Sequence, residues 1–481
     1  MHFIRLVLPF GECLRIILLA TLCVVSVALY GSFGRPIWID EFLHFATAAF
    51  DNTEQAWNVI RQSITGVNHG QTGIYMLLDY WLLKAFGASI LALRSPSLLS
   101  AALMLYACAT LLRLRGFGLF WQCFAIFVLF CQPHLMYYAG EARPYMPLAA
   151  ASVGTLVFAV ATPVQRRQWT VRILGGCSIL FGVLMHPYFS LYWFAIFCFG
   201  FWFAWVNQER TLSFEALKNY LSIPLCVVGS AVYFGIASLT WLVSHPRFDR
   251  DPFQQIPQTD LVRIFVWHHT EFFGFPERGA CLLAAIGAFT TAYFFLPLAI
   301  RSRLKPMLGP AVLVLVALGL SGLLSLMSYF QNYWILTRQW VASIALVGVG
   351  SVWLCAELVR AMTKMLEDAG VVSSRKVMKF LSAVFLGLIL LYGIRLNQHN
   401  LRYRVDTLAT YLSQKNTVKS IDLEKLITCP MDNHAWSVLA NLNAQEGGAV
   451  WPVFSKYYVQ ALGGPDVCLE NIKSTLDLRI K

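Results

Sequence analysis

Charge is what this sequence has least of. Asp, Glu, Lys and Arg make up 13% of its 481 residues, while hydrophobic residues make up 58%. A soluble domain carries about a quarter charged residues and under half apolar ones, so a water-soluble globular fold is excluded. The chain has no glycine-rich phosphate loop after a strand-like run, which removes the usual nucleotide-binding signatures. It has no single basic run either. The net charge of +12 is spread in short clusters between apolar segments, where it sets membrane topology instead of binding a nucleic-acid backbone. No internal repeat is visible, and the apolar segments are almost free of charge at mid-depth, Glu357 lying near the end of one of them. Both absences count against a transporter, which keeps ionisable residues near the bilayer midplane and is commonly built from repeats.

What the chain does have is a series of apolar stretches of about 20 residues, long enough to cross a bilayer. They fall near 14–34, 95–112, 119–138, 142–162, 171–185, 187–206, 219–242, 279–300, 308–329, 339–360 and 378–396. Residues 73–87 are too short and too amphipathic to span; they predict a helix lying in the interface, with Tyr80 and Trp81 at headgroup depth. About eleven spans (10–13) with the N-terminus inside put Arg113 and Arg115, Arg166 and Arg167, Arg210 and Lys218, and Arg301, Arg303 and Lys305 on the cytoplasmic side. The cluster Arg360, Lys364, Arg375, Lys376 and Lys379 joins them there, as the positive-inside rule asks. Counting 73–87 as a span would turn the Arg166 and Arg301 clusters outward. The first span resembles a signal peptide after Arg5 and Arg15, and its long apolar run favours an uncleaved anchor.

The outward side then collects the unusual chemistry. Asp40 and Glu41 are adjacent carboxylates between Trp38 and Phe42, just past the first span. Carboxylates at a bilayer surface are costly and are functional candidates by default. The same side carries His44, His69, Arg94 in Leu93-Arg94-Ser95-Pro96-Ser97, the turn Glu141-Ala142-Arg143-Pro144-Tyr145, and His186-Pro187-Tyr188. It also carries a long loop near 243–278 with His268, His269 and Glu271, and Arg338 at the mouth of the tenth span. Several of these have two readings. Asp40 and His44, four apart, suit a hydrogen-bonded pair or two metal ligands on one helix face. Glu141 and Arg143 suit a salt bridge closing a loop or, for the Arg, an anionic lipid headgroup. His186 suits a helix cap, and Arg338 an ordinary snorkelling residue.

Trp-Ile-Asp-Glu after the first span, Leu-Arg-Ser-Pro-Ser, Glu-Ala-Arg-Pro-Tyr after the third, His-Pro-Tyr after the fifth and Arg338 at the tenth together resemble the GT-C glycosyltransferases. The branch they are most similar to is the bacterial protein-mannosyltransferase and aminoarabinose-transferase-like group, over roughly residues 14–345. Where that group commonly has a proline-rich turn, this chain has His69-Gly70-Gln71-Thr72-Gly73. The resemblance implies an all-α polytopic membrane protein with a GT-C-type bundle over residues 1–396, whose first outward loop covers about 35–94. It also implies transfer of a sugar from a polyprenyl-phosphate carrier to an extracytoplasmic acceptor, with inversion. In that scheme Asp40 is the base and Glu41 assists or orients the acceptor. Arg143, Arg338 and Arg94 bind the donor phosphate, and Glu141, Tyr145, His69, His186, His269 and Glu271 line the sugar and acceptor side. No essential metal or other cofactor is expected, although the acids offer oxygen ligands for a divalent cation. The expected partners are a polyprenyl-phosphate sugar, membrane lipid and the acceptor (lipid A, glycan, glycolipid or protein), with no nucleic acid. The rival function is a transporter or a flippase for lipid-linked sugars.

Residues 397–481 are polar enough for a small extracytoplasmic α/β domain. Ten of the twelve cysteines sit in or beside spans; Cys429 and Cys468 fall in this tail, where a disulfide would close a loop of about 40 residues. The expected location is a bacterial inner membrane, with the N-terminus cytoplasmic and the C-terminus outside. Which sugar and which acceptor are not encoded in such motifs.

Overall fold

A computed structural model of the chain describes residues 10–32, 41, 44, 52–65, 72–87, 90–186, 188–207, 293, 295, 298–330, 340–368 and 387. Every described element is a helix: α1 (Phe10–Ser32), α2 (Thr53–Thr65), α3 (Ile74–Phe86), α4 (Ile90–Leu114), α5 (Leu119–Phe130), α6 (Pro133–Ala139), α7 (Tyr145–Val160), α8 (Pro163–Arg166), α9 (Trp169–Met185), α10 (Phe189–Asn207), α11 (Leu298–Phe330) and α12 (Val341–Asp368). Among them four stretches are long and apolar enough to cross a membrane: Leu91–Leu114, Phe189–Asn207, Leu304–Leu324 and Val341–Asp368. With the composition, these make the chain a helical membrane protein. The spans expected near 219–242, nearly all of 279–300 and 378–396, the tail 397–481 and the Cys429–Cys468 pair lie outside the described residues.

The core is organised around α7, all of whose residues are buried. α4, α9, α10 and α12 pack around it. Its sequence explains the position: Ala149-Ala150-Ala151-Ser152 and Gly154 let neighbouring backbones close in, the usual device when helices associate without help from water. The hydroxyls are satisfied within the helix, Ser152 donating to the Leu148 carbonyl at 2.8 Å and Thr155 to that of Ala151 at 2.7 Å. Around this core, Leu14, Ile17, Val24 and Val25 of α1 stay exposed while Leu19 and Cys23 are buried, which leaves one face of that helix for lipid.

The α7–α9 contact is tight enough to test. A Cβ on Gly175 would lie 2.6 Å from Cβ of Phe158, and one on Gly154 would lie 2.0 Å from Oγ of Ser178. Phe158 meets Gly175 with the stem of its side chain, so no rotamer change relieves the clash and the helices must part. Gly175→Ala is expected to destabilise by about 1–3 kcal/mol, read as a lowered thermal midpoint of the purified protein in detergent. An unchanged midpoint would mean that the interface opens at no cost.

Three features depart from the sequence expectations. The stretch 119–138 is two helices, because Pro133 starts a new one and the Gln132 side chain caps it, accepting from the His134 and Leu135 amides at 2.7 and 3.2 Å. The segment carrying Arg301, Arg303 and Lys305 is not a loop; it is the first part of α11, which runs unbroken through Pro306 and Pro310. Residues 74–86 form a helix of 13 residues that is not among the stretches long enough to cross a membrane, and in it Tyr80 is buried against protein while Trp81 is exposed.

The bundle has chemically distinct ends. One gathers Arg115, packed against Phe203 and Trp353, and Arg360, which bonds to Glu357 at 3.3 Å and to the Arg115 carbonyl at 3.1 Å. Arg166 is there too, covering the Phe158 and Ala159 carbonyls where α7 ends, a favourable place for a cation. The opposite end, where α4 and α7 begin and α9 finishes, carries Glu41 and Glu141.

Candidate functional site

Arg94 sits in the second turn of α4, two residues before Pro96. Pro96 has no N–H for the carbonyl four residues back; the Ser95 hydroxyl donates to that Ala92 oxygen instead, at 2.8 Å. The helix therefore survives its proline and holds Arg94 inward, 3% exposed. Its guanidinium grips Glu41 in a two-point bond, Nε to Oε1 and Nη2 to Oε2, both 2.8 Å. Glu41 is 0% exposed and also accepts the Ala142 amide at 2.7 Å. Residues 41, 94 and 142 thus meet in one charge-assisted, fork-like contact.

The Ala142 amide belongs to the turn between α6 and α7. The Arg143 amide donates to the Glu141 carbonyl at 2.8 Å, and the Glu141 amide to that of Tyr138 at 3.2 Å. Glu141 and Arg143 are both buried, and the Arg143 guanidinium lies 5.7 Å from the Tyr145 ring. Tyr145 leads to His186 with ring centres 5.7 Å apart, and His186 to Tyr188 at 4.9 Å. His186 is the C-cap residue of α9, and its Nδ1 accepts the Tyr188 amide at 3.1 Å. This bond fixes the turn into α10.

A second buried pair lies beside the first. Asp79 of α3 bonds to Nδ1 of His44 through Oδ2 at 2.7 Å, and both side chains are 0% exposed. One turn earlier on α3, Tyr75 meets the His44 ring edge-on at 5.5 Å, and its hydroxyl shares a 2.7 Å bond with Ser97. Ser97 in turn donates to the Arg143 carbonyl at 3.1 Å. Burial, and then the nearby Glu41 carboxylate, push Asp79 up from the ordinary carboxyl range, with Arg143 pulling the other way. Burial and Asp79 likewise push Tyr75 up, so it stays a neutral phenol.

Of the candidate residues, the fold brings Glu41, Arg94, Glu141, Arg143, Tyr145 and His186 to one end of the bundle. Asp40, His69, His269, Glu271 and Arg338 lie outside the described residues. His44 has a partner on α3, Asp79, while the expected pairing of Asp40 with His44 falls on a residue outside the described ones. Asp79 was not among the candidates, yet the sequence carries a signal for it: it is the one acid between Glu54 and Glu141, and it interrupts an apolar run. Among the described residues no group of three His, Cys, Asp or Glu is placed to hold a metal ion.

No protein-family model matches the chain, and no curated protein does. Two solved structures are similar to it at a low level. One is ArnT from Cupriavidus metallidurans in the apo state, with 14% identity and a TM-score of 0.41, covering 98% of this chain and 77% of that one. The other is ArnT from the same organism bound to undecaprenyl phosphate, with 13% identity and a TM-score of 0.39, covering 96% and 76% respectively. Likeness at this level assigns no function.

Proposed function

We propose that this chain is a membrane glycosyltransferase that moves a sugar from a polyprenyl-phosphate carrier to an extracytoplasmic hydroxyl acceptor by a single, inverting displacement. The observation that carries the reading is the convergence of Glu41, Arg94 and the Glu141–Arg143 turn, drawn from three separate stretches of the chain, into one buried polar site at one end of the bundle. Such an accumulation of charge costs stability wherever it has no task.

The reaction needs the acceptor oxygen to lose its proton as it attacks the anomeric carbon, while the bond to the carrier phosphate breaks and the phosphate takes the electron pair. Asp40 is the base by its place in the motif. Glu41 and Arg94 satisfy each other, so in this reading they fix the segment that presents Asp40, and the leaving phosphate falls to Arg143 together with Arg338. Glu141, Tyr145 and His186, with His69, His269 and Glu271, are assigned to the sugar and acceptor side. No metal is required by this scheme: arginines supply the charge that a cation would.

The test is loss of labelled sugar from a panel of polyprenyl-phosphate sugars, with the purified protein in bilayers containing an envelope-lipid extract as acceptor source. The expected result is turnover of one donor and of no nucleotide sugar. Passage of intact donor between leaflets with the sugar retained would overturn the reading in favour of a flippase.

A further inference from the structure

Glu41 and His44 are three residues apart, both in helical conformation, and so lie on one side of their segment. They are anchored to different elements. Glu41 is held by Arg94 of α4 and by the Ala142 amide. His44 is held by Asp79 of α3. The two anchoring helices are tied to each other through Tyr75 and Ser97, and Ser97 continues to the carbonyl of Arg143. The result is a closed polar circuit around the acidic segment, with α3, a short helix outside the membrane spans, as one of its sides.

We propose that Asp79, acting through His44, is a positioning residue for the segment that carries Asp40 and Glu41. The inference rests on the transferase reading for its effect on rate, but not for its effect on the segment itself. The second oxygen of Asp79 is buried and has no hydrogen-bond partner among the described residues, so the carboxyl is retained against a desolvation cost that a packing residue would not incur. Burial and the nearby Glu41 carboxylate raise the Asp79 carboxyl above its usual range, so it keeps its proton to higher pH than a free carboxyl does. Among the described residues, Tyr75 of α3 meets the His44 ring, Glu41 and Arg143 act electrostatically on Asp79, and Glu141 acts on Tyr75. Glu54, the described acid of α2, is exposed. As pH rises, loss of the Asp79 proton adds a negative charge next to Glu41, on the side of the site where the donor phosphate must leave.

Three variants test this: Asp79→Asn, His44→Ala and His44→Asn, whose amide nitrogen occupies the place of Nδ1. Asp79→Asn and His44→Ala are expected to lower kcat for donor turnover by about 10- to 100-fold, the scale of a misplaced reacting group, with the donor KM within about threefold. The alkaline limb of the kcat profile should shift in Asp79→Asn, and His44→Asn should recover much of the rate. Hydrogen exchange of peptides covering residues 41–44 supplies a readout that needs no substrate: it should accelerate in Asp79→Asn and His44→Ala and not in His44→Asn. If wild type turns over no donor, the transferase reading fails while the exchange result still decides the positioning role. Wild-type kcat, pH profile and exchange in Asp79→Asn would overturn the proposal. So would equal loss of donor binding and of monodispersity in all three variants, which would mark the pair as packing alone.

Discussion

Arg94→Leu will cost about 3–5 kcal/mol of stability, the usual penalty for removing one partner of a buried ion pair. Glu41 has no exposed surface, and two of its bonds come from this one guanidinium. Without Arg94 the carboxylate keeps the Ala142 amide but loses the counter-charge of its two-point bond, which favours uptake of a proton or entry of water. Arg94→Lys is expected to fall between wild type and Arg94→Leu, since an ammonium offers a point charge in place of the two-pronged fork. The double variant Glu41→Leu with Arg94→Leu removes both charges and should recover most of the lost stability, because a buried pair gains little over apolar residues of similar volume. It should not recover turnover. Stability regained while donor turnover stays lost is what separates a positioning clamp from a structural bolt, and thermal unfolding beside the turnover assay reads both. A double variant as active as wild type would remove the clamp from the proposed mechanism.

The contrast between what was legible in the sequence and what was not follows the same chemistry. Scarcity of charge made Glu41, Arg94, Glu141 and Arg143 visible, because an apolar chain cannot carry such residues at random. Their pairing was not visible. The family resemblance implies a phosphate ligand at Arg94, and only the fold shows that a carboxylate from 53 positions away already occupies it. Asp79 was hidden for a different reason. It lies on the buried face of an amphipathic helix with Tyr75, Met76, Tyr80 and Leu83, where periodicity predicts apolar residues and gives no warning of a partner on another segment.

Helix ends were legible only where the chain marks them with apolar-to-polar changes. The break at Pro133 depends on one Gln side chain folding back on two amides, a contact of the kind that hydropathy averages away. The continuity of α11 through Pro306 and Pro310 hides behind the opposite bias, since both prolines and the basic cluster before them look like a loop. The acid end of the bundle, by contrast, was predictable in outline. Spans that begin with Arg94 and the Glu141–Arg143 turn, and one that finishes at His186, have to share an end if they alternate in direction, and the opposite ends carry Arg115, Arg166 and Arg360.

Asp40→Asn should lower kcat for donor turnover by at least about 100-fold, within the range that a positioned general base contributes. Asn keeps the shape and polarity of the side chain while removing the proton acceptor, so the donor should still bind and KM should change little. Glu41→Gln is the informative companion. It leaves Arg94 buried without its counter-charge, so it should lower stability and donor turnover together. Asp40→Asn should leave the unfolding midpoint near wild type. The pH profile adds a sign check: a base must be unprotonated to work, so wild-type kcat should fall as pH drops through its pKa, and the residual rate of Asp40→Asn should lack that acid limb. If Asp40→Asn retains the wild-type rate and profile, Asp40 is not the base. Glu41 then has little claim to the role, because its two oxygens are bonded to the Arg94 guanidinium and one of them also to the Ala142 amide. Glu141, in the turn that supplies that amide, becomes the carboxylate to replace next.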